Sequence, residues 1–170
     1  YLHLVLSVDR AGWMFWLPIL NPFIKINLNL SEDMIGLANT VMNVASIAVL
    51  PLTSKPINKY GWVKVLALSE LFGALGVLLI VIAKDFITLS TAMVFIGTSI
   101  ALWIPAFNVA VPSVVGVKDE VGRAYGRANI FRGISSIPTP WLGGVLYSIS
   151  PTYPLITGLT LLMLNTVVLL

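Results

Sequence analysis

An all-α integral membrane fold with six transmembrane helices is what this sequence predicts, and three observations predict it. Hydrophobic residues make up 58% of the chain and charged residues only 10%, too little charge for the wetted surface of a soluble domain. The apolar residues come in blocks of roughly 18–22, matching a hydrocarbon core of about 30 Å at about 1.5 Å of helical rise per residue. Stretches such as Leu75–Ala83 show no alternating polarity. That excludes a barrel strand, and because backbone groups in lipid must pair internally, it leaves helices.

The first span is expected over Leu4–Ile24, the second over Met34–Thr53 and the third over Trp62–Ala83. The fourth follows over Phe86–Ala110, the fifth over Ala128–Ser148 and the sixth over Tyr153–Leu170. Ser31, followed by Glu32 and Asp33, suits the N-cap of the second span, with acids at the positive end of the helix dipole. The chain starts at Tyr1 and ends at Leu170 inside an apolar run. It is therefore expected to be a fragment cut at both ends, forming one bundle over residues 1–170.

Basic residues set the orientation. Lys55, Lys59 and Lys64 follow the second span, and Lys118, Arg123, Arg127 and Arg132 surround the start of the fifth; the opposite side carries Lys25 and Lys84. Seven against two places the first two groups in the cytoplasm, and both termini with them. Arg10 lies inside the first span and is not counted. The expected location is the cell membrane, multi-pass.

A repeat runs through the chain. Trp16-Leu17-Pro18-Ile19-Leu20-Asn21 and Trp103-Ile104-Pro105-Ala106-Phe107-Asn108 both read Trp-aliphatic-Pro-x-x-Asn, 87 residues apart. At the same offset Glu32-Asp33 meets Asp119-Glu120, and Pro51 meets Pro138. Three spans fit in one offset, so two units, about 1–83 and 86–170, would lie inverted relative to each other. The alternative is coincidence among residues common in membrane helices. Proline frees a carbonyl and bends a helix. Pro18, Pro22, Pro51, Pro105, Pro112, Pro138 and Pro140 mark the first, second, fourth and fifth spans as bent cavity liners. The third and sixth remain as straight supports.

These motifs resemble the major facilitator superfamily over essentially the whole chain. The family's loop after the second helix of each half reads Gly-x-Leu-Ala-Asp-Arg-x-Gly-Arg-Lys, and Ser54–Lys64 matches it in part. Gly61 is kept, Lys59 keeps the basic charge, Asn58 replaces the aspartate and Ser54 the first glycine. The family's Gly-Pro-x-x-Gly-Gly is similar to Thr139-Pro140-Trp141-Leu142-Gly143-Gly144, and Gly122-Arg123-Ala124-Tyr125-Gly126 resembles the loop before that helix. An arginine often found in the fourth helix of the amino-terminal half would fall near Met93 and is absent. That absence and the degenerate loop suggest the carboxy-terminal half of a twelve-helix transporter. The resemblance implies two inverted three-helix repeats, partnership with a missing six-helix half, and alternating access.

Several residues are candidates for the chemistry. Asp9 and Arg10 lie inside the first span, where each costs on the order of 2.5–3.5 kcal/mol facing lipid, so each is expected to face a cavity or a partner. They suit a substrate or proton pathway, the alternatives being a snorkelling arginine and a structural ion pair. Trp13, Trp16 and Asn21 follow on the same helix. Trp103 and Asn108 match Trp16 and Asn21 in the repeat. Asn39 and Asn43, four apart, share a polar face of the second span. For the aromatics the alternative is packing, and for the asparagines it is helix-to-helix bonding.

Asn58, Lys59, Gly61, Glu70, Arg123 and Arg127 are expected at a cytoplasmic gate, with Glu70 paired to a basic residue there. The bases could instead be topology signals that bind anionic lipid. Gly122, Gly126, Pro140, Gly143 and Gly144 are expected to let helices pack closely.

The sequence offers no paired histidine or cysteine ligands, no phosphate loop and no nucleophile with a base. No cofactor, metal, catalytic residue or nucleic-acid partner is therefore expected. The expected function is secondary active or facilitative transport of a small solute, with the lipid bilayer as surroundings. The alternative is a non-transporting helical membrane protein, such as a receptor-like helper or an intramembrane enzyme.

Overall fold

Proline placement decides where the helices of this chain break. The computed structural model describes residues 1–115 and 120–170, all of it helix and short connections. Lys118 of the topology count and Asp119 of the repeat lie outside the described residues. Helix α1 (Leu2–Trp16) leads into a 3-10 turn at Leu17–Ile19 and then α2 (Leu20–Asn27). Pro18 sits in that turn, where its missing N–H cannot continue the α ladder. Helix α3 (Glu32–Val49) ends the same way, in a 3-10 turn at Leu50–Leu52 around Pro51. Ser31 is its N-cap residue, although its hydroxyl makes no capping bond.

The stretch expected as a loop after the second span is a short helix, α4 (Ser54–Tyr60). Gly61 ends it with φ of +81°. A side chain there meets no neighbour, but with ψ of 161° it would occupy a positive-φ extended region essentially reserved to glycine, at a cost on the order of 1–3 kcal/mol. Helix α5 (Trp62–Ile82) follows directly, and α6 (Phe86–Ser113) carries Pro105 and Pro112 without interruption. Helices α7 (Val121–Ser136) and α8 (Thr139–Ile149) are separated at Pro138, and α9 (Tyr153–Leu169) starts with Pro154 in its first turn. Among the described residues, three stretches are long and apolar enough to cross a membrane by themselves: Glu32–Leu52, Trp62–Ile82 and Phe86–Ser113. The first and fifth expected spans are split by their prolines, and α9 is a shorter apolar helix.

Asp85 caps α6 properly, its carboxylate accepting from the Thr88 amide at 2.7 Å. That bond holds Asp85 below its ordinary range. The stabilisation is therefore present above the ordinary aspartate range and lost as pH falls through the depressed value. Asp85→Ala is expected to lower Tm at neutral pH, with the gap to the parent closing on acidification. Asp85→Asn, which can still accept the amide, should keep most of the parent's Tm. Thermal melts at a series of pH values check both.

Helix α5 packs along α6 on one side and α9 on the other; α3 lies on α6, and α1 lies against α7, α8 and α9. One core cluster gathers Trp16, Phe23, Ile24, Val77, Met93, Ile96 and Leu162. A second gathers Leu6, Leu66, Phe107, Val111 and Ala128. In lipid such contacts stabilise through close packing rather than removal from water, so small residues matter where helices cross. Glycines mark four crossings. A methyl on Gly97 would run into the Met42 carbonyl, one on Gly76 into Ile96, one on Gly158 into Trp16, and one on Gly143 into the Phe15 carbonyl.

Of the glycines expected to pack helices, Gly143 does so. Among the described residues, a methyl on Gly122, Gly126 or Gly144 would meet nothing within 4 Å, so these glycines are not at a helix crossing there. Pro140 lies in the first turn of α8, where a missing N–H leaves no helical bond unmade.

Candidate functional site

Four helices enclose a cleft of about 240 Å³. Helix α1 contributes Asp9, Arg10 and Trp13; α3 contributes Met42; α6 contributes Ile96, Ser99, Ile100 and Trp103; α7 contributes Arg132. Its wall is mostly apolar, with the charges gathered on α1 and α7. The helical period explains the α1 face: Asp9 and Trp13 are one turn apart and share a side, while Arg10 is turned about 100° from Asp9.

Asp9 is only 2% exposed although it sits at the cleft wall. Behind it lies Glu70 of α5, 1% exposed, within bonding reach of Asp9 and of Asn165 on α9. Yet Asp9 Oδ1, Glu70 Oε2 and Asn165 Nδ2 are each buried without a partner. Orphaned buried polar atoms cost roughly 1–3 kcal/mol each and are retained where they have work to do. Asp9 also lies within electrostatic reach of Arg132 and Arg10.

The Arg132 guanidinium stacks 4.4 Å from the centre of the Trp103 ring and 5.3 Å from that of Phe107. Trp103 and Phe107 lie nearly parallel, 4.7 Å apart. Cation–π contact of this kind contributes about 0.5–2 kcal/mol and holds the cation in one place. Arg132 Nε is buried without an acceptor.

The structure brings Asp9, Arg10, Trp13 and Trp103 to one cleft. It separates the others. Trp16 is fully buried in the core, tilted against Trp13 at 5.3 Å, so it packs and does not line the cleft. Asn21 and Asn39 line a different, more open cleft with Lys25 and Glu32, and Asn39 donates to Asn21 at 3.4 Å. Lys25 and Glu32 form an ion pair beside them. Asn43 and Asn108 are exposed, and Asn108 contributes only its carbonyl, which accepts from the Tyr125 hydroxyl at 3.0 Å.

Among the expected gate residues, Asn58, Lys59, Arg123 and Arg127 are exposed on α4 and α7, and Lys59 lies over the Tyr60 ring. Glu70 corrects its expectation. It meets Asp9 and Asn165 rather than a basic residue, because it shares a face of α5 with Gly73, whose neighbours include Trp13 of α1 and Leu162 of α9.

Sequence reasoning missed Arg132, Ser99 and Asn165. Arg132 was counted with the topology-setting bases, yet it falls four residues inside the expected fifth span, where the rule for intramembrane charge that selected Asp9 also applies. Nothing local to Ser99 or Asn165 marked them.

The sequence matches the family model described as Major Facilitator Superfamily over residues 2–170. A search of curated proteins gives no match.

Proposed function

The chain belongs to the major facilitator superfamily, a family of membrane transporters for small solutes, and on that premise we propose that the cleft between α1, α3, α6 and α7 is part of a solute path worked by alternating access. The observation that carries this reading is the cleft itself. Asp9, Arg10 and Arg132 meet at one opening whose other wall residues, Ser99 apart, are apolar. Intramembrane charges are costly and belong on pathways rather than against lipid.

The helix contacts support the inverted-repeat part of the reading. Exchanging the first expected span with the fourth, the second with the fifth and the third with the sixth turns the α1 contact with α7 and α8 into the α3 contact with α6. The same exchange turns the α1–α9 contact into the α5–α6 contact and returns α5–α9 to itself. Such a bundle would rock against a second six-helix half in the cell membrane, with both ends cytoplasmic. The exposed bases Lys59, Arg123 and Arg127, with Asn58 and Gly61, would form the cytoplasmic face that opens and closes.

The test is uptake by the full-length protein in proteoliposomes, with labelled sugars, amino acids, organic acids and organic amines offered separately. Saturable uptake of one class, accelerated when unlabelled solute of that class is loaded inside, is the expected result. Uptake that never saturates, or no flux for any class from correctly folded protein, would overturn the reading.

A further inference from the structure

At the inner end of the cleft two arginines, Arg10 and Arg132, face Asp9, with Glu70 buried behind it. Around the Asp9–Glu70 pair, α1 presents Arg10, α7 presents Arg132, α9 presents Asn165, α6 presents Ser99 and Trp103, and α3 presents only the apolar Met42. Resting on the transport reading of this same cleft, we propose that it takes an organic anion with an apolar body together with a proton. The anion sits on Arg132 and Arg10 beside Trp103, and the proton sits on the Asp9–Glu70 pair.

Two features specify the anion. Among the described residues neither Arg10 nor Arg132 forms a salt bridge, and Arg132 Nε is buried with no acceptor. The rings of Trp103 and Phe107 attract the Arg132 charge but offer its N–H groups no oxygen acceptor. A carboxylate accepts in the guanidinium plane, and arginine is suited to it. The remaining wall is Trp13, Ile96, Ile100 and Trp103, which fits an apolar body and offers a sugar few partners. A cationic solute would meet two arginines.

The proton follows from the carboxyl pair. Two carboxyls side by side in a dry interior cannot both stay ionised, so they keep one proton and one negative charge between them. That remaining charge faces Arg132 and Arg10, where the incoming anion must also sit. A second proton on the pair removes the competing charge and frees both arginines for the solute. Asp9 Oδ1 and Glu70 Oε2 make no hydrogen bond that the proton would have to displace. Linkage then works both ways: the proton favours the anion, and the anion favours the proton by the same factor. The two travel together.

Benzoate tests this, with benzylamine and benzyl alcohol as cationic and neutral counterparts of the same shape. Binding to the full-length protein in detergent is read by tryptophan fluorescence, and proton uptake by an indicator dye in weak buffer. Benzoate is expected to bind in preference to both counterparts, with up to about one proton taken up per molecule bound. Its affinity should fall by up to about tenfold per pH unit on the alkaline side of the pair's titration. The double variant Asp9→Asn, Glu70→Gln, which removes both carboxyls of the pair, should bind benzoate with affinity that no longer varies with pH, and take up no proton.

Preference for benzylamine or benzyl alcohol would overturn the anion assignment. Benzoate binding without proton uptake in the parent protein would overturn the coupling. Both readouts are binding measurements on the parent protein, so failure here leaves the flux test of transport standing, and an unfolded variant leaves the parent's pH series decisive.

Discussion

Arg132→Leu is expected to reduce solute uptake by about a hundredfold, the equivalent of losing one charge-assisted hydrogen bond of roughly 1.5–3 kcal/mol. The reason lies in how Arg132 is held. Its guanidinium rests 4.4 Å from the Trp103 ring centre and its Nε is buried without an acceptor, so it waits in place at the cleft wall. Leucine keeps much of the bulk against Trp103 and Phe107 but removes the donors and the charge. Lysine should recover only part of the activity, since an ammonium supplies charge without the planar fork that can bond a carboxylate at two points. Arg123→Gln and Arg127→Gln are the controls. Both residues are exposed on α7, and exposed single charges contribute little, so uptake should change by less than about threefold. Initial rates in proteoliposomes, normalised to protein inserted, check all four variants. If Arg132→Leu transports like the parent while Arg123→Gln does not, the functional centre lies at the α4–α7 surface rather than in the cleft.

That contrast also shows which parts of this protein can be read from sequence. The interruptions at Pro18, Pro51 and Pro138 were legible as bends because proline removes a donor from its own backbone, whereas Pro105 and Pro112, which carry the same signal, lie within the unbroken α6. Asp9 and Arg10 were legible because a charge in an apolar run is costly wherever it points. Arg132 carried the same signal but sat among other bases near a span end, where the charge count assigned it to topology. Trp16 and Trp103 occupy matching places in the repeat, yet one is sealed in the core and the other lines the cleft. A helix face becomes an interface or an opening according to what packs across it, and that neighbour is distant in sequence. Glu70 shows the same thing. Its place near the expected cytoplasmic end suggested a basic partner, but the rotation of α5 presents it to α1 and α9.

The glycines of α8 supply the largest expected effect on stability. Gly143→Val should lower the melting temperature of the full-length protein on the order of 10 °C, whereas Gly144→Val should stay within about 2 °C of the parent. The two positions are adjacent and look alike in sequence. They differ in what crosses them: a Cβ on Gly143 meets the carbonyl oxygen and carbon of Phe15, and one on Gly144 meets nothing within 4 Å. Flexible side chains can turn away from an added methyl, but a helix backbone cannot, so α8 must move off α1 at a cost of about 3 kcal/mol, the upper end for overpacking. The displaced part of α1 is two residues beyond Trp13 and less than two turns from Asp9, so the cleft is disturbed with the packing. Gly143→Val protein that does fold should therefore also transport slowly, whereas Gly144→Val should transport normally. Melting in detergent and uptake rates on the same preparations test this together. A Gly143→Val protein that melts with the parent would mean that α8 does not press on α1 in the folded protein, and the α1 wall of the cleft would have to be held by α7 and α9 alone.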